Sequence, residues 1–470
     1  MSNPTAVILV VGLNKSLIGD WSPNLQRFCA EGQVRRLKPV LPAVTCSVQS
    51  SMLTGCDVSD HGIVGNGWFD RELSEVHFWK QSNRLVGGEK VWETARKREP
   101  EFTCLNMFWW YNMYSSADYS VTPRPMYKAD GRKIPDCYSH PAELKDELQS
   151  ELGQFPLFHF WGPASSIKSS KWIAEATVIA HKKLNPTLTL VYLPHLDYAL
   201  QKLGPDHDDI KKHVAEIDTV IGKLLSYFDS RSVKPMIVSE YGIEPVSRSI
   251  AINKILREES LIAIREEMGL ELLDAGASEA FAVADHQIAH VYIRNEQNAS
   301  RTLEICKRIP GVDQALDKNA QSKLHIDHRR SGDIVLVTAK DHWFSYNYWL
   351  DDSKAPDFAR TVDIHRKPGY DPCELFIDPA ISNPKLKIAL KLFKKKLGFR
   401  TLMDLIPLDT SLVKGSHGRV DQPVDIQPIL ISRQDSKDTP EEIPCRKVKD
   451  IILAHLFDDK RIADNEKIKN

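Results

Sequence analysis

The sequence predicts an α/β protein: a mostly parallel sheet with helices on both faces, plus an inserted α+β cap. Three observations predict it. Apolar, β-branched runs such as Ala6–Val11 and Thr187–Leu193 are continuous, as strands buried on both faces are. Helical spacing separates such runs: Lys211–Phe228 sets Val214, Ile217, Ile221, Leu224 and Leu225 on one face. A separate strand–helix–strand pattern, Phe281–Ile293, Ser300–Ile309 and Asp333–Thr338, interrupts the later elements as a cap would.

Taken in order, Ala6–Val11 is a strand that breaks at Gly12 and leads to a helix over Ser22–Glu31. A second strand, near Val34–Val40, ends at Pro42, and a helix over Ser47–Leu53 ends at Gly55. Gly67–Pro163 is rich in aromatics, with Phe108-Trp109-Trp110-Tyr111 and Met126-Tyr127, and reads as an insertion. Thr187–Leu193 is closed by Pro194. Met236–Ser239 runs into Glu240-Tyr241-Gly242, and Pro428–Ser432 is the last strand. The expected division is a main domain of residues 1–252 and 397–434, a cap of 253–396 and a charged tail of 435–470. The tail holds one amphipathic piece, Val448–Phe457, and no repeats occur.

Composition excludes several classes. The 470 residues carry 62 Lys+Arg and 63 Asp+Glu, a net charge of −1, so the basic excess of a nucleic-acid polymer binder is missing. With 42% hydrophobic residues the chain can bury a sizeable core and is not expected to be disordered. No apolar run reaches the ~18 residues that a membrane span needs, and the first residues lack the pattern of a signal peptide. The eight cysteines are scattered with no C-x-x-C pair, which argues against disulfides and thiolate zinc. A cytoplasmic location is the expectation.

In open parallel sheets ligands bind beyond the carboxyl ends of the strands. The segments there are Gly12-Leu13-Asn14, Leu41–Ser47, His195-Leu196-Asp197, Glu240-Tyr241 and Gly415-Ser416-His417-Gly418. Thr45 stands out. It sits at a helix N-terminus, where free N–H groups and the helix dipole favour an anion and an alkoxide. A plain N-cap threonine is the competing reading, and the better one on local pattern alone.

The motifs shift that balance. Pro42-Ala43-Val44-Thr45-Cys46-Ser47 runs on to Leu53-Thr54-Gly55, then Asp60-His61-Gly62-Ile63-Val64-Gly65-Asn66. Upstream stands S-P-N-L-Q-R-F-C-A-E-G, and near the C-terminus G-S-H-G-R-V-D-Q-P-V-D-I-Q-P-I-L-I. In order and spacing this resembles the alkaline phosphatase superfamily, specifically its nucleotide pyrophosphatase/phosphodiesterase branch. The resemblance implies an alkaline phosphatase-like catalytic domain, a phosphoester hydrolase activity of phosphodiesterase type, a threonine nucleophile matching Thr45, and two zinc ions held by Asp and His.

The match departs at the metal ligands. The family's first Asp falls on Val11 or Gly12, with Asn14 the nearest polar group. Its P-D-H-x-x-H pair falls on Asp197 and Gln201, four apart on one helical face. Its S-D-H-G becomes Ser239-Glu240-Tyr241-Gly242, and its last His matches His417. Asp197, Glu240 and His417 are the expected metal ligands; Asn14, Arg419, Tyr241, Gln201 and His195 are the expected substrate contacts. Gln and Tyr are poor zinc ligands, so one ion, or Mg²⁺ or Mn²⁺ in place of zinc, is expected as readily as two zinc ions, and no metal at all is an open alternative. Two further readings stay open: a degenerate binding protein, and a metal-dependent mutase or phosphoryl transferase on the same fold. The partner is a small phosphorylated substrate; oligomeric state is not legible.

Other polar groups read as structural. Asp285, His286 and His290 have i,i+4 spacing, but on a cap strand. His365-Arg366-Lys367 reads as a solvated loop, and the aromatics divide between core and a pocket over the phosphate. The basic run Lys385–Arg400 reads as a solvated amphipathic helix, with a membrane surface as the alternative.

Overall fold

The computed structural model describes residues 2–433 and 440–458. Much of the expected charged tail lies outside the described residues, but Val448–Phe457 is the helix expected there. Strands β1 (Thr5–Val10), β2 (Gln33–Lys38), β3 (Cys104–Met107), β4 (Tyr119–Pro123), β5 (Cys137–His140), β6 (Leu188–Leu193) and β7 (Lys234–Val238) enter one large sheet. The cap adds β8 (Ala280–Asp285), β9 (Ile288–Ile293), β10 (Val312–Leu316) and β11 (Ile334–Thr338). The chain then returns to the main sheet through β12 (Ile429–Ser432) and β13 (Glu442–Pro444).

The main sheet has nine strands in the order β13-β2-β12-β7-β1-β6-β3-β4-β5. β1 lies parallel between β6 and β7 at its centre; β12 and β5 run antiparallel to their neighbours. Every residue of β1 and β6 is buried, as their continuous apolar runs require. The faces are covered by helices including α1 (Pro23–Glu31), α2 (Thr45–Thr54), α3 (Ile167–Leu184), α4 (His195–Leu203) and α5 (Ile210–Ser230). Val214, Ile217, Ile221, Leu224 and Leu225 of α5 all join the core.

Two sequence readings change. Residues 104–140, read as part of an insertion, supply three strands to one flank of the main sheet. The β3 run Cys-Leu-Asn-Met is too short to show strand periodicity. Phe281–Ile293, read as one strand, is a hairpin of β8 and β9 turning at His286, whose φ is +61°. It belongs to a separate four-stranded antiparallel sheet, β8-β9-β11-β10.

Candidate active site

The segments after β2, β6 and β7 deliver Thr45, then Asp197 with Gln201, then Glu240 with Tyr241 to one place, while the loop after β1 supplies no side chain to it. α2 begins at Thr45 itself, with Val44 as the residue before its first turn, so Thr45 is not the N-cap. The Ala43 N–H donates to the Gly418 carbonyl at 2.9 Å, and His417 Nδ1–H donates back to the Ala43 carbonyl at 2.9 Å. This stitches the threonine loop to the histidine loop. Gly242, after Tyr241, must lack a Cβ: one would lie 1.8 Å from the Ile426 carbonyl oxygen.

A directed chain of hydrogen bonds links the side chains. The Tyr241 hydroxyl donates to Asp197 Oδ1 at 3.2 Å, so its oxygen is left to accept from the Thr45 hydroxyl, 3.1 Å away. Gln201 Nε2 donates to Asp197 Oδ2 at 2.9 Å, and the Tyr370 hydroxyl donates to Gln201 Oε1 at 2.9 Å. On the other side Gln49 accepts from the Trp110 N–H at 2.8 Å and donates to Glu240 Oε2 at 2.9 Å. Glu240 Oε1 and His417 Nε2 are buried without a hydrogen-bond partner.

Rings stack behind this chain. Tyr241 lies on His417 with centroids 3.6 Å apart; His286 follows at 3.7 Å, then Tyr370 at 3.7 Å from His286. Burial sets the protonation states. It pushes Asp197 up to about 7 against the hydrogen bonds from Gln201 and Tyr241. It pushes Glu240 up to about 8, against Gln49, with the Asp197 charge adding to the rise. It holds His417 down to about 3, so the imidazole is neutral.

Six expected residues therefore meet: Thr45, Asp197, Gln201, Glu240, Tyr241 and His417. Three do not join them. Asn14 is an N-cap; its Oδ1 accepts from the Leu17 N–H at 3.2 Å and the Ser16 hydroxyl at 2.7 Å. Arg419 is a structural tie between Asp421 at 2.6 Å and Asp313 at 3.1 Å, so its guanidinium is already occupied. His195 points at α5, where its Nε2 meets Glu216 Oε2 at 3.1 Å and His213 Nδ1 at 3.2 Å. The three ligand atoms lie within 4.8 Å of one another, away from Thr45, and His195 Nδ1 is buried without a hydrogen-bond partner.

Sequence reasoning missed Gln49, Asn66, Asp285, His286 and Tyr370. Gln49 stands four residues after Thr45 on the same helix, a signal that was available. Asn66 Oδ1 accepts from the Cys46 N–H at 3.0 Å, and its own N–H groups are held by Asp285 at 2.8 and 3.1 Å. Asp285 and His286 read from the sequence as structural cap residues, yet Asp285 reaches the Cys46 N–H through Asn66 and His286 stacks on His417. His290 is structural: it bonds the Val64 carbonyl at 2.9 Å and the Gly332 N–H at 3.1 Å. Lys367 of the expected solvated loop is buried against Asp371 at 2.7 Å.

The side chains do not fit the two-zinc centre that the resemblance implies. The position beside Thr45 keeps only Glu240, because Val11 and Gly12 offer no ligand and burial holds the Tyr241 phenol protonated. At the other position both Asp197 oxygens already accept hydrogen bonds and Gln201 turns an N–H toward it. His417 Nε2 is left 4.0 Å from Asp197 Oδ1. Two ligands remain where a catalytic zinc takes three.

An aromatic belt adjoins the site. Trp79 and Trp110 meet at 4.8 Å, Trp79 and Tyr370 at 6.3 Å, Trp161 and Tyr370 at 5.6 Å, and Trp161 and Tyr198 at 5.9 Å. Trp79, Trp110 and Trp161 are partly exposed, which suits a wall for an apolar or planar ligand group.

A threonine at the first turn of a helix, beyond the carboxyl ends of a mostly parallel sheet and beside two buried carboxyls, defines a protein of the alkaline phosphatase-like class. The chain belongs to the type I phosphodiesterase/nucleotide pyrophosphatase family, whose model matches residues 5–371. An uncharacterized pyrophosphatase/phosphodiesterase of Schizosaccharomyces pombe is 24% identical over 238 residues, 48% of this chain and 42% of that protein. A bis(5'-adenosyl)-triphosphatase of Mus musculus is 23% identical over 245 residues, 49% of this chain and 45% of that protein. The matched stretch thus covers under half the length of these curated relatives. Phosphonoacetate hydrolase from Sinorhizobium meliloti 1021, solved with phosphonoacetate, superposes with a TM-score of 0.62 at 14% identity, covering 96% of this chain and 95% of that one. Murine ectonucleotide pyrophosphatase/phosphodiesterase 5 superposes with a TM-score of 0.56 at 12% identity, covering 96% and 94%. These two likenesses carry the fold.

Proposed function

We propose that this chain hydrolyses phosphoric esters with Thr45 as the nucleophile and Asp197, reached through Tyr241, as the acceptor of its proton. The observation that carries this reading is the continuous chain of hydrogen bonds in which the Tyr241 hydroxyl lies 3.1 Å from the Thr45 hydroxyl and 3.2 Å from Asp197 Oδ1. Thr45 Oγ attacks phosphorus and the bond to the leaving oxygen breaks. The Thr45 proton passes to the Tyr241 oxygen as the Tyr241 proton passes to Asp197 Oδ1. With its carboxyl held near neutrality, Asp197 is matched to this task at physiological pH. Glu240, still protonated at neutral pH, gives a proton from Oε1 to the leaving oxygen. Water then attacks the phosphothreonine, and the same groups reverse their roles. The first turn of α2 stabilises the phosphoryl oxygens through its N–H groups.

A protonated Glu240 also eases a difficulty of charge, because a second carboxylate beside the ionised Asp197 would add to the repulsion of phosphate. The belt of Trp79, Trp110 and Trp161 suits a planar group on the substrate, in keeping with a family that includes nucleotide pyrophosphatases. The test is hydrolysis of bis-p-nitrophenyl phosphate with mass analysis of the stopped reaction. A phosphoryl adduct on the peptide holding Thr45, absent in Thr45→Ala, is expected; full activity in Thr45→Ala overturns the assignment. A second reading, a binding protein that no longer turns over, is motivated by Val11, Gly12 and Tyr241 at former ligand positions. Phosphoester binding without turnover over the whole pH range would establish it.

A further inference from the structure

α6 (Pro384–Lys396) and the turn that follows carry a surface that the hydrolytic site does not use. Leu386, Leu390, Phe393 and Leu397 recur at spacings of four, three and four residues, one stripe on a helix. All four are exposed, from 54% to 59%, and none joins a hydrophobic core. The opposite side is tied to the body of the protein. Lys387 and Lys391 pair with Asp404 and donate to the Asp404 and Leu402 carbonyls at 2.9 and 2.7 Å. Polar contacts thus fix the helix with its apolar stripe facing outward.

Residues 384–400 hold six lysines and one arginine with no acidic residue, on a chain whose net charge is −1. Lys385, Lys394, Lys395 and Lys396 make no ion pair among the described residues; Lys394 and Lys396 flank the stripe, and Lys395 lies on the half-buried side. The surface continues. Phe399 is 64% exposed, and Arg400 donates to the Ala129 carbonyl at 2.8 Å, joining α6 to the hairpin of Met126–Tyr127 and Lys133–Ile134. Met126 and Tyr127 are also exposed. The Tyr127 ring lies 6.2 Å from His365, whose Nδ1 bonds the Phe78 carbonyl next to Trp79 of the aromatic belt.

We propose that this face docks on the surface of an anionic lipid bilayer, with Leu386, Leu390, Phe393 and Leu397 entering the headgroup boundary and the lysines meeting lipid phosphates. The charge favours this occupant. A second copy of the chain would bring two lysine clusters together and is repelled. A soluble polyanion satisfies the lysines but leaves the leucine and phenylalanine stripe in water. A bilayer answers both halves, as amphipathic helices of this pattern do.

The test is co-sedimentation of the full chain with phosphatidylcholine vesicles and with mixed phosphatidylcholine/phosphatidylglycerol vesicles, at low and high salt. Binding to the mixed vesicles that weakens with salt is expected. Leu390→Glu with Phe393→Glu should weaken it at least about ten-fold, with the melting temperature unchanged because both side chains are exposed. Lys394→Glu with Lys396→Glu, which reverses the exposed charges on either side of the stripe, should do likewise. The proposal is overturned if neither vesicle binds, or if the Leu390/Phe393 variant binds undiminished, which would mark attraction by charge alone. A dimer that this variant dissolves, without vesicle binding, overturns it in favour of self-association.

Discussion

Tyr241 lies flat on His417, with ring centroids 3.6 Å apart and planes 7° from parallel. Its hydroxyl, at the edge of that stack, is the single group bonded to both Thr45 and Asp197. One phenol oxygen thus lies within 3.2 Å of both a threonine hydroxyl and a carboxyl group.

Removing that hydroxyl isolates its role. Tyr241→Phe keeps the stack and cuts the relay. The turnover rate on bis-p-nitrophenyl phosphate should fall by about 10²–10⁴-fold, and the unfolding free energy should drop by about 1–3 kcal/mol for each buried group left unpaired, Thr45 and Asp197. An unchanged rate would mean that Asp197 does not receive the Thr45 proton.

The rate should follow a bell-shaped pH profile. Asp197 must be ionised to accept the proton, and burial raises it to about 7, so activity rises through that value. Glu240 must be protonated to donate, so activity falls above about 8. In Glu240→Gln the falling limb should be lost along with much of the rate.

Stability should fall as pH rises toward mild alkalinity. Asp197 and Glu240 ionise near 3.9 and 4.3 when unfolded, roughly the model-peptide values. In the fold they hold their protons to about 7 and 8. Between these limits the folded chain binds more protons than the unfolded one. Their contribution is whole at low pH and is lost as pH rises through the folded values. His417, held to about 3, acts oppositely and costs stability as pH falls below its ordinary range. Urea unfolding from about pH 5 to about pH 8 should show the first slope flattened in Asp197→Asn with Glu240→Gln.

Gln49 holds two structures at once. Gln49→Leu leaves Glu240 Oε2 and the Trp110 N–H without their partner. Each buried unpaired group costs about 1–3 kcal/mol, so the unfolding free energy should drop by a few kcal/mol at most. Gln49→Glu should behave differently, because it sets a second acid against Glu240 and drives that carboxyl higher still.

Zinc removal is the sharpest check on the donor set. The purified chain should hold substoichiometric zinc, and dialysis against a chelator should leave hydrolysis and melting temperature nearly unchanged. Loss of activity that zinc alone restores would show that Asp197 and His417 recruit an ion despite their hydrogen bonds.

Much of the scaffold was readable from the chain because its signals are local. β1 and β6 announce themselves as apolar runs, and α5 by the spacing of Val214, Ile217 and Ile221. The four-residue spacing of Asp197 and Gln201 correctly set them side by side. β3 and β5, four residues each, carry no such signal, and their place in the sheet depends on the partner strands.

The site divides in the same way. The residue types at Thr45, Asp197, Glu240, Tyr241 and His417, and the absence of an acid at Val11 and Gly12, follow from the sequence alone. They carry the family pattern and its departures at the expected metal-ligand positions. Direction could not be read there. Asn14 turned out to be a helix cap, Arg419 a tie to Asp313, and His195 a partner of Glu216, because a side chain answers the nearest complementary group in space. Tyr370 lies 169 positions from Gln201 yet bonds it, and Asp285 lies 219 from Asn66. Protonation also belongs to the tertiary structure. Water keeps an isolated carboxyl acidic, and only burial, nearly complete at Asp197 and complete at Glu240, raises them to neutrality.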